Sequence, residues 1–274
     1  MQLATFYDHM KDMAQEEKIG LTEALQYIKS LGITHMEVSQ NNLLGREDEV
    51  GRELSFVGLE ISSIPAYFDI GRDDNVDRQS QPVLEAARYL GAGKILVIPG
   101  FFQEGDSPEE KSRQMESMAQ CLNRLGEKAA GYGVSLVMED YDSLLAPFST
   151  AEGLEYFLSR CPALSCCFDT GNFRFAGEDE LAAYEKLKSR ISHVHLKDRA
   201  YSPRWGDHAA AAADGQLLYP APVGKGEIPI AGLLSRLAAD GYEGVCTIEH
   251  YGAKSMRAAL QESTAWLREN FPFA

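Results

Sequence analysis

Basic residues are scarce in this sequence, and their scarcity excludes one class of partner. Lysine and arginine together number 26 against 41 aspartates and glutamates, so the formal net charge is −15. A surface this acidic repels the phosphate backbone of DNA and RNA. We therefore expect no nucleic-acid function.

The chain also has few cysteines and no long apolar run. The five cysteines form no C-x-x-C pair or other zinc-type spacing, and most stand within apolar segments, which favours reduced, buried thiols: Cys121, Cys161, Cys166, Cys167 and Cys246. No segment is apolar over the roughly 20 residues that a membrane-spanning helix needs, and the first residues lack the pattern of a secretion signal. These features predict a cytoplasmic protein without a membrane partner.

A glycine-rich phosphate-binding turn is missing after the early strands, which argues against a doubly wound open sheet. What recurs instead is a strand followed by a helix. Eight such units predict an α/β fold, a (β/α)8 TIM barrel that forms a single domain over residues 1–274. The predicted strands are residues 3–8, 34–39, 59–67, 94–99, 134–139, 164–169, 191–197 and 244–249.

The predicted helices alternate with these strands and carry apolar residues at helical spacing. They are residues 21–31, 47–54, 77–90, 152–159, 180–188, 230–239 and 255–269, with a long helix after the fourth strand that presents Met115, Met118, Leu122 and Leu125 on one face. Residues 199–225 show no clear period, and we interpret them as a loop that covers a functional site. Within this loop, Trp205, Asp207 and His208 either close over a ligand or simply face solvent.

Four consecutive strands end in side chains that suit a divalent cation. In a (β/α)8 barrel, the carboxyl ends of the strands build the active site. The four residues are Glu139, Asp169, His195 and Glu249. Carboxylates with one imidazole suit Mn²⁺, Mg²⁺, Co²⁺ or Fe²⁺, and Zn²⁺ is also compatible.

Each of these residues has a structural interpretation as well. Asp169 opens an Asp-Thr-Gly-Asn turn and is a candidate helix cap. Glu139 could simply face solvent at the end of its strand. His195 could be a hydrogen-bonded histidine of the core, and Glu249 could be the partner in a structural ion pair. We favour the metal site because four such residues at equivalent strand ends are hard to explain separately.

Several short motifs, taken in order along the whole chain, resemble the sugar phosphate isomerase/epimerase family of xylose-isomerase-like TIM barrels. They are Glu139, Asp169-Thr170-Gly171-Asn172, His193-Val194-His195-Leu196-Lys197-Asp198, Gly224-Lys225-Gly226-Glu227-Ile228 and Thr247-Ile248-Glu249. The combination is fairly specific for the superfamily and poorly specific for the substrate.

The resemblance implies a metal-dependent enzyme and assigns roles to the strand-end residues. It makes Glu139, Asp169, His195 and Glu249 the metal ligands, and it makes Glu139 and Glu249 the catalytic acid/base pair. The implied activity is the isomerisation or epimerisation of a ketose or related polyol by proton transfer through an enediolate. The implied cofactor is one divalent ion: Mn, Mg, Co, Fe or Zn.

One position departs from the family pattern, and several others are candidates to bind substrate. Relatives commonly have histidine where this chain has Asn172, which can hydrogen-bond a hydroxyl but cannot carry a proton. Lys197 is suited to neutralise an oxyanion or to pair with Asp169 or Glu139. Glu37, at the end of the second strand, is a candidate to bind a substrate hydroxyl or to form a buried structural pair. His9 and Tyr67 are candidates to line the barrel mouth, and core packing explains Tyr67 equally well.

Alternative functions remain open at this stage. The same metal and carboxylates suit a lyase that dehydrates a keto-inositol, and Asn172 leaves room for a non-catalytic barrel that binds metal and sugar. An apurinic endonuclease would need a basic groove and more histidines than the six present. We expect a small sugar or polyol as the partner, and assembly into a homo-oligomer is left open.

Overall fold

Eight parallel strands form the centre of the computed structural model, which describes residues 1–271 and 273. These strands are β1 (Gln2–Phe6), β2 (His35–Glu37), β3 (Glu60–Tyr67), β4 (Lys94–Ile98), β5 (Ser135–Glu139), β6 (Leu164–Asp169), β7 (Ile191–Leu196) and β11 (Val245–Ile248). They close in the order β1, β11, β7, β6, β5, β4, β3, β2. The predicted (β/α)8 barrel is therefore confirmed.

Helices surround the barrel, and those predicted from the sequence are present with ends shifted by a few residues. They are α1 (Tyr7–Glu17), α2 (Leu21–Ser30), α3 (Gln40–Leu43), α4 (Glu47–Val57), α5 (Val76–Leu90), α6 (Pro108–Tyr132), α7 (Ala151–Arg160), α8 (Asn172–Phe175), α9 (Glu180–Leu187), α10 (Ile230–Ala239) and α11 (Met256–Asn270). Across residues 1–271, none of these helices is both long and apolar enough to cross a membrane.

The first helix, α1, was missed by the sequence analysis, which extended the first strand to residue 8. β1 ends at Phe6, and Tyr7, Met10 and Met13 turn one face of α1 into the core at a spacing of three residues. That spacing is the signal for a helix, but it lies within a polar stretch without a capping side chain. The correction moves His9 from a loop at the barrel mouth onto a buried helix face.

Residues 199–225 are not the irregular loop that we expected. They contribute to a three-stranded antiparallel sheet of β8 (Asp198–Ala200), β9 (Ala210–Ala211) and β10 (Leu217–Ala221), in which β10 is central. Each of these strands is short, so the alternation of apolar and polar residues was too brief to recognise. The sheet lies beside the carboxyl end of β7.

Asp198 anchors the segment that returns from this sheet to the barrel. Its carboxylate accepts hydrogen bonds from the backbone N–H groups of Arg199, Gly224, Gly226 and Ile228, at 2.8–3.2 Å. A Cβ atom at Gly226 would collide with the Asp198 carboxylate, so glycine is required for this close approach. The Gly-Lys-Gly-Glu motif therefore has a structural role in docking this segment.

The cysteines match the sequence-based expectation of buried thiols. All five are free and buried, and burial raises the pKa of the Cys161 thiol to about 11 and that of Cys246 to about 12. These two thiols are therefore neutral apolar groups near neutral pH. The cytoplasmic location inferred from them stays a prediction.

The anchoring role of Asp198 predicts a large stability loss in Asp198→Ala. Four buried N–H groups would lose their acceptor, which we expect to lower the free energy of unfolding by about 3 kcal/mol. Chemical denaturation measures this change. As a control, Asp207→Ala removes an exposed carboxylate of the same segment that pairs with Lys254, and it should change the free energy by less than about 0.5 kcal/mol. Equal values for the two variants would contradict the anchoring role.

Candidate metal centre

A cavity of about 670 Å³ opens at the carboxyl end of the barrel strands. Glu139 from β5 and Glu249, which follows β11, reach its floor, and Lys197 follows β7 on the same side. Tyr67 and Tyr251 contribute aromatic surface to its walls. The cavity is thus both charged and aromatic, which suits a ligand with hydroxyl groups on an apolar carbon frame.

The four predicted ligand residues converge at the bottom of this cavity. One ligand atom from each of Glu139, Asp169, His195 and Glu249 lies within 4.8 Å of the other three, and all four residues are buried. The His195 Nδ1 atom is 2.9 Å from Glu139 Oε2, 3.2 Å from Glu249 Oε2 and 4.0 Å from Asp169 Oδ2. The sequence analysis therefore selected residues that the fold brings together.

Three of the converging atoms lack hydrogen bonds among the described residues. Glu139 Oε2, Asp169 Oδ2 and His195 Nδ1 are buried, and their mutual alignment is not that of a hydrogen bond. Buried polar atoms without partners are costly, and a cation held between them would satisfy all three. Three carboxylates and an imidazole are also a ligand set that hard and borderline divalent ions accept. The residues present therefore fit a metal.

Asp169 is placed so that one carboxylate oxygen holds the turn before α8 and the other is available to a metal. Its Oδ1 atom accepts from the backbone N–H groups of Gly171 at 2.7 Å and Asn172 at 3.0 Å, so the turn into α8 is capped. Its Oδ2 atom faces the cluster. The turn thus holds the carboxylate in a fixed orientation while one oxygen stays free for a metal.

Lys197 is the cation closest to the cluster. Its Nζ atom is 2.5 Å from Glu249 Oε1 and 3.3 Å from Asp169 Oδ2. The sequence analysis expected Lys197 to pair with Asp169 or Glu139, and the pairing with Asp169 is present. The nearest partner of Lys197, Glu249, was not predicted. A buried ammonium group here also offsets part of the negative charge of the cluster.

Asn172 holds Lys197 in this position. Its Oδ1 atom accepts from Lys197 Nζ at 2.8 Å, while its Nδ2 group donates to the Asp140 carbonyl at 2.8 Å. Both ends of the amide are therefore engaged within the protein. A substrate contact for Asn172 stays a prediction, and its visible role is to orient the lysine.

Two other predicted substrate residues do not line the cavity. Glu37 lies beneath the cluster, fully buried, with His193 and His195 as partners. His9 lies on α1, where its Nε2 atom accepts from the backbone N–H of His250 at 2.9 Å. Neither contacts the cavity, because the first strand ends earlier than expected and Glu37 points into the barrel. Tyr67 does line the cavity.

The loop residues that we expected near the ligand are not part of the cavity wall. Trp205, Asp207 and His208 are absent from its lining within the described residues. Lys254 instead pairs with Asp207 at 2.9 Å, which ties the segment to the loop after β11. Closure of this segment over a ligand stays a prediction.

The cavity contains a further pair of charged residues that was not predicted from the sequence. Asp142 and Arg199 line it and pair with each other at 2.6 Å, and Arg199 is nearly fully buried. Both follow strand-end ligands by three or four positions, Asp142 after Glu139 and Arg199 after His195. That spacing at a barrel mouth was the available signal.

Burial and charge set the protonation of the cluster. Burial, with repulsion from Glu249 and Glu139, raises the pKa of Asp169 to about 7. Burial opposes ionisation of Glu249 too, but Lys197 and His195 outweigh it and hold the pKa of that carboxyl well below its usual value. Burial disfavours the imidazolium of His195, but the Glu37 and Glu139 carboxylates outweigh it and raise the pKa of His195 well above its usual value.

Comparison with known proteins matches most of this chain to one family. A family model described as a xylose isomerase-like TIM barrel matches residues 25–270. The inosose dehydratase of Mesomycoplasma hyopneumoniae strain J is 36% identical over 66% of this chain and 63% of its own length. The inosose dehydratase of Geobacillus thermodenitrificans is 27% identical over 88% of this chain and 85% of its own length. The chain spans 52–63% of the length of the curated relatives that it matches at 36% identity.

Solved structures share the fold at low sequence identity. The IOLI protein with a bound zinc atom superposes with a TM-score of 0.76 at 17% identity, over 100% of both chains. The 3-keto-D-glucoside 4-epimerase from E. coli superposes with a TM-score of 0.71 at 18% identity, over 98% of this chain and 99% of that one. At these identities the likeness shows the barrel and does not assign a reaction.

The geometry predicts one divalent metal ion per chain. Elemental analysis of protein purified without chelator should find close to one equivalent of Mn, Mg, Co, Fe or Zn. His195→Ala should lose most of it, because His195 Nδ1 lies 2.9 Å from Glu139 Oε2 and 3.2 Å from Glu249 Oε2. His35→Ala is the matched control, since His35 lies on β2 beside Glu60 and outside the cluster. Equal metal content in the two variants would contradict the role of His195.

The protonation of the cluster before a metal binds predicts how metal affinity depends on pH. A metal must displace protons from His195, whose pKa is raised, and from Asp169, whose pKa is about 7. Raising the pH removes these protons beforehand, so affinity should increase as the pH rises through about 7 and decrease below it. Calorimetric titration in buffers of different ionisation enthalpy should show proton release on binding. An affinity and a proton count that do not change with pH would contradict this protonation scheme.

Proposed function

The chain belongs to the xylose isomerase-like TIM barrel family, and from this membership and the site geometry we propose that it is a metal-dependent sugar isomerase or epimerase. Its substrate would be a ketose or related polyol. The reaction would begin with removal of a proton from the carbon next to the carbonyl group and would pass through an enediolate. The metal would be held by Glu139, Asp169, His195 and Glu249.

The observation that carries this proposal is the pair of glutamates beside the candidate metal centre. Glu139 ends β5 and Glu249 follows β11, and these strands are separated in the barrel by β6 and β7. Both side chains reach the same cavity, and both lie within 3.2 Å of His195 Nδ1. Two carboxylates that approach one cavity from separate strands are suited to remove a proton and to return it at another position.

The residues of the chain divide the chemical work. A bound divalent metal supplies Lewis-acid polarisation of the substrate carbonyl. One glutamate acts as the base that takes the proton, and the other delivers a proton to complete the isomer or epimer. The Lys197 ammonium group, oriented by Asn172, stabilises negative charge that develops on oxygen beside Glu249. The tyrosines of the cavity wall pack against the C–H surface of the substrate.

A second candidate function is the dehydration of a keto-inositol. It is favoured by the sequence relatives, since two proteins with 36% and 27% identity are named inosose dehydratases. Dehydration begins with the same proton removal next to a carbonyl group, after which a neighbouring hydroxyl leaves as water. The charged residues near the cluster, Lys197 and the Arg199–Asp142 pair, lie where such a hydroxyl would be held.

We expect deuterium to enter the substrate when the metal-loaded protein is incubated in D₂O with ketoses and with a keto-inositol. An enediolate must exchange its carbon-bound hydrogen with solvent, whereas a direct hydride shift between carbons retains it. Nuclear magnetic resonance of the mixture identifies both the labelled carbon and the product. An isomer or epimer carrying deuterium supports the first function, and an unsaturated or dicarbonyl product supports dehydration. Turnover without deuterium contradicts proton transfer, and metal binding without turnover or exchange indicates a non-catalytic barrel.

The two glutamates should be individually essential. Glu139→Gln and Glu249→Gln should each lower turnover by at least about 100-fold, the low end of what a positioned acid or base contributes. Metal content must be measured in each variant, because both residues are proposed ligands. Glu127→Gln, the same change on the exposed face of α6, should leave turnover unchanged. Wild-type turnover in either active-site variant with metal bound would contradict the assignment.

A further inference from the structure

The barrel interior directly beneath the candidate metal centre is polar, which is unusual for a fold whose interior is dominated by branched apolar residues. Glu37 from β2 lies at its centre, with His193, Ser63 and Thr247 around it, and all four are fully buried. None of the four lines the cavity. A buried carboxylate so close to three other carboxylates needs a physical reason.

The Glu37 carboxylate is satisfied by four donors. Its Oε1 atom lies 2.6 Å from His193 Nε2, 3.0 Å from His195 Nε2 and 2.6 Å from Thr247 Oγ1. Its Oε2 atom accepts from the Ser63 hydroxyl at 2.7 Å. These partners lie on β7, β11 and β3, so the carboxylate is held from three directions.

The contact with His195 has a chemical consequence for the other nitrogen of that ring. Both Glu37 oxygens accept from a hydroxyl, Oε1 from Thr247 and Oε2 from Ser63, so the 3.0 Å contact with Oε1 is made by a proton on His195 Nε2. In a ring that carries one proton, Nδ1 is then left with its lone pair. Nδ1 is the atom that faces Glu139, Asp169 and Glu249 without a hydrogen bond.

We infer that Glu37 is a positioning residue, which fixes the tautomer and orientation of His195 so that its Nδ1 lone pair points at the metal. The inference rests on the proposed metal site and assigns Glu37 a role different from the substrate binding expected from the sequence. A carboxylate behind a ligand histidine also makes the imidazole a better donor. Ser63 and Thr247 hold the carboxylate in place, and Glu37 does not touch the metal or the substrate.

Nuclear magnetic resonance of the Zn²⁺-loaded wild-type protein tests the tautomer directly. Zn²⁺ is diamagnetic, so a ¹⁵N spectrum of the imidazole rings distinguishes a nitrogen that binds metal from one that carries a proton. We expect His195 to bind Zn²⁺ through Nδ1 and to carry on Nε2 a proton that is shifted downfield and slow to exchange. Zn²⁺ on Nε2, or an Nε2 proton that exchanges rapidly, would overturn the inference whether or not any variant folds.

The isosteric variant Glu37→Gln measures the effect on affinity. Titration of the metal-free protein with Zn²⁺ against a competing chelator should give a dissociation constant about 10-fold higher than wild type, the lower end of the effect of partners behind metal ligands. The Nε2 proton signal of His195 should move upfield. Glu60→Gln is the matched control, because it makes the same change at an exposed carboxylate that lies 3.6 Å from His35, outside the cluster. Its Zn²⁺ affinity should equal that of wild type.

The outcomes separate this inference from the proposed function. If wild-type protein binds no divalent metal, the proposed function and the inference built on it both fail. If wild type binds metal and Glu37→Gln binds it equally well, the function stands and the inference is overturned. If Glu37→Gln lowers only the melting temperature, Glu37 is a structural residue, and the inference is overturned as well. A weaker Zn²⁺ affinity with a shifted His195 signal supports it.

Discussion

The convergence of three carboxylates on the Nδ1 atom of one histidine is the constraint on which the rest of the structure depends. Glu139, Asp169 and Glu249 bring negative charge to a buried point, where it is costly without compensation. Part of the compensation is built into the chain, since Lys197 pairs with Glu249 and with Asp169. The remaining buried atoms without partners are what a divalent cation would satisfy.

The surroundings of this cluster are arranged so that each ligand has little freedom to move. The turn after β6 binds one oxygen of Asp169, and Asn172 in the same turn holds Lys197. Asp198 docks the segment that returns from the small antiparallel sheet, and Glu37 supports His195 from below. Most of the polar residues that follow β6 and β7 therefore affect the cluster indirectly, by holding another residue in place. This explains why the motifs around these strands contain many charged and small residues.

The barrel and the cluster of four strand-end residues could be predicted from the sequence, whereas the supporting contacts could not. Strand ends are marked by local patterns, and the barrel brings equivalent ends together, so Glu139, Asp169, His195 and Glu249 could be grouped without coordinates. The position of Glu37 depends on which face of a three-residue strand points inward, and a run that short carries no reliable alternation. The short strands after β7 were missed for the same reason, whereas α1, which carries His9, was missed because its apolar positions lie in a polar stretch without a capping side chain. The Arg199–Asp142 pair joins β8 to the loop after β5, and the local sequence does not show which residues pair across such a distance.

The most direct test of the metal centre is anomalous X-ray diffraction from crystals grown with Mn²⁺, with data collected at the manganese absorption edge. The account predicts one strong peak per chain, bonded to Glu139, Asp169, His195 Nδ1 and Glu249, with oxygen–metal distances of about 2.0–2.3 Å. Lys197 should remain outside the coordination sphere. A peak elsewhere in the barrel, or none at the cluster in crystals soaked at saturating Mn²⁺, would contradict the account.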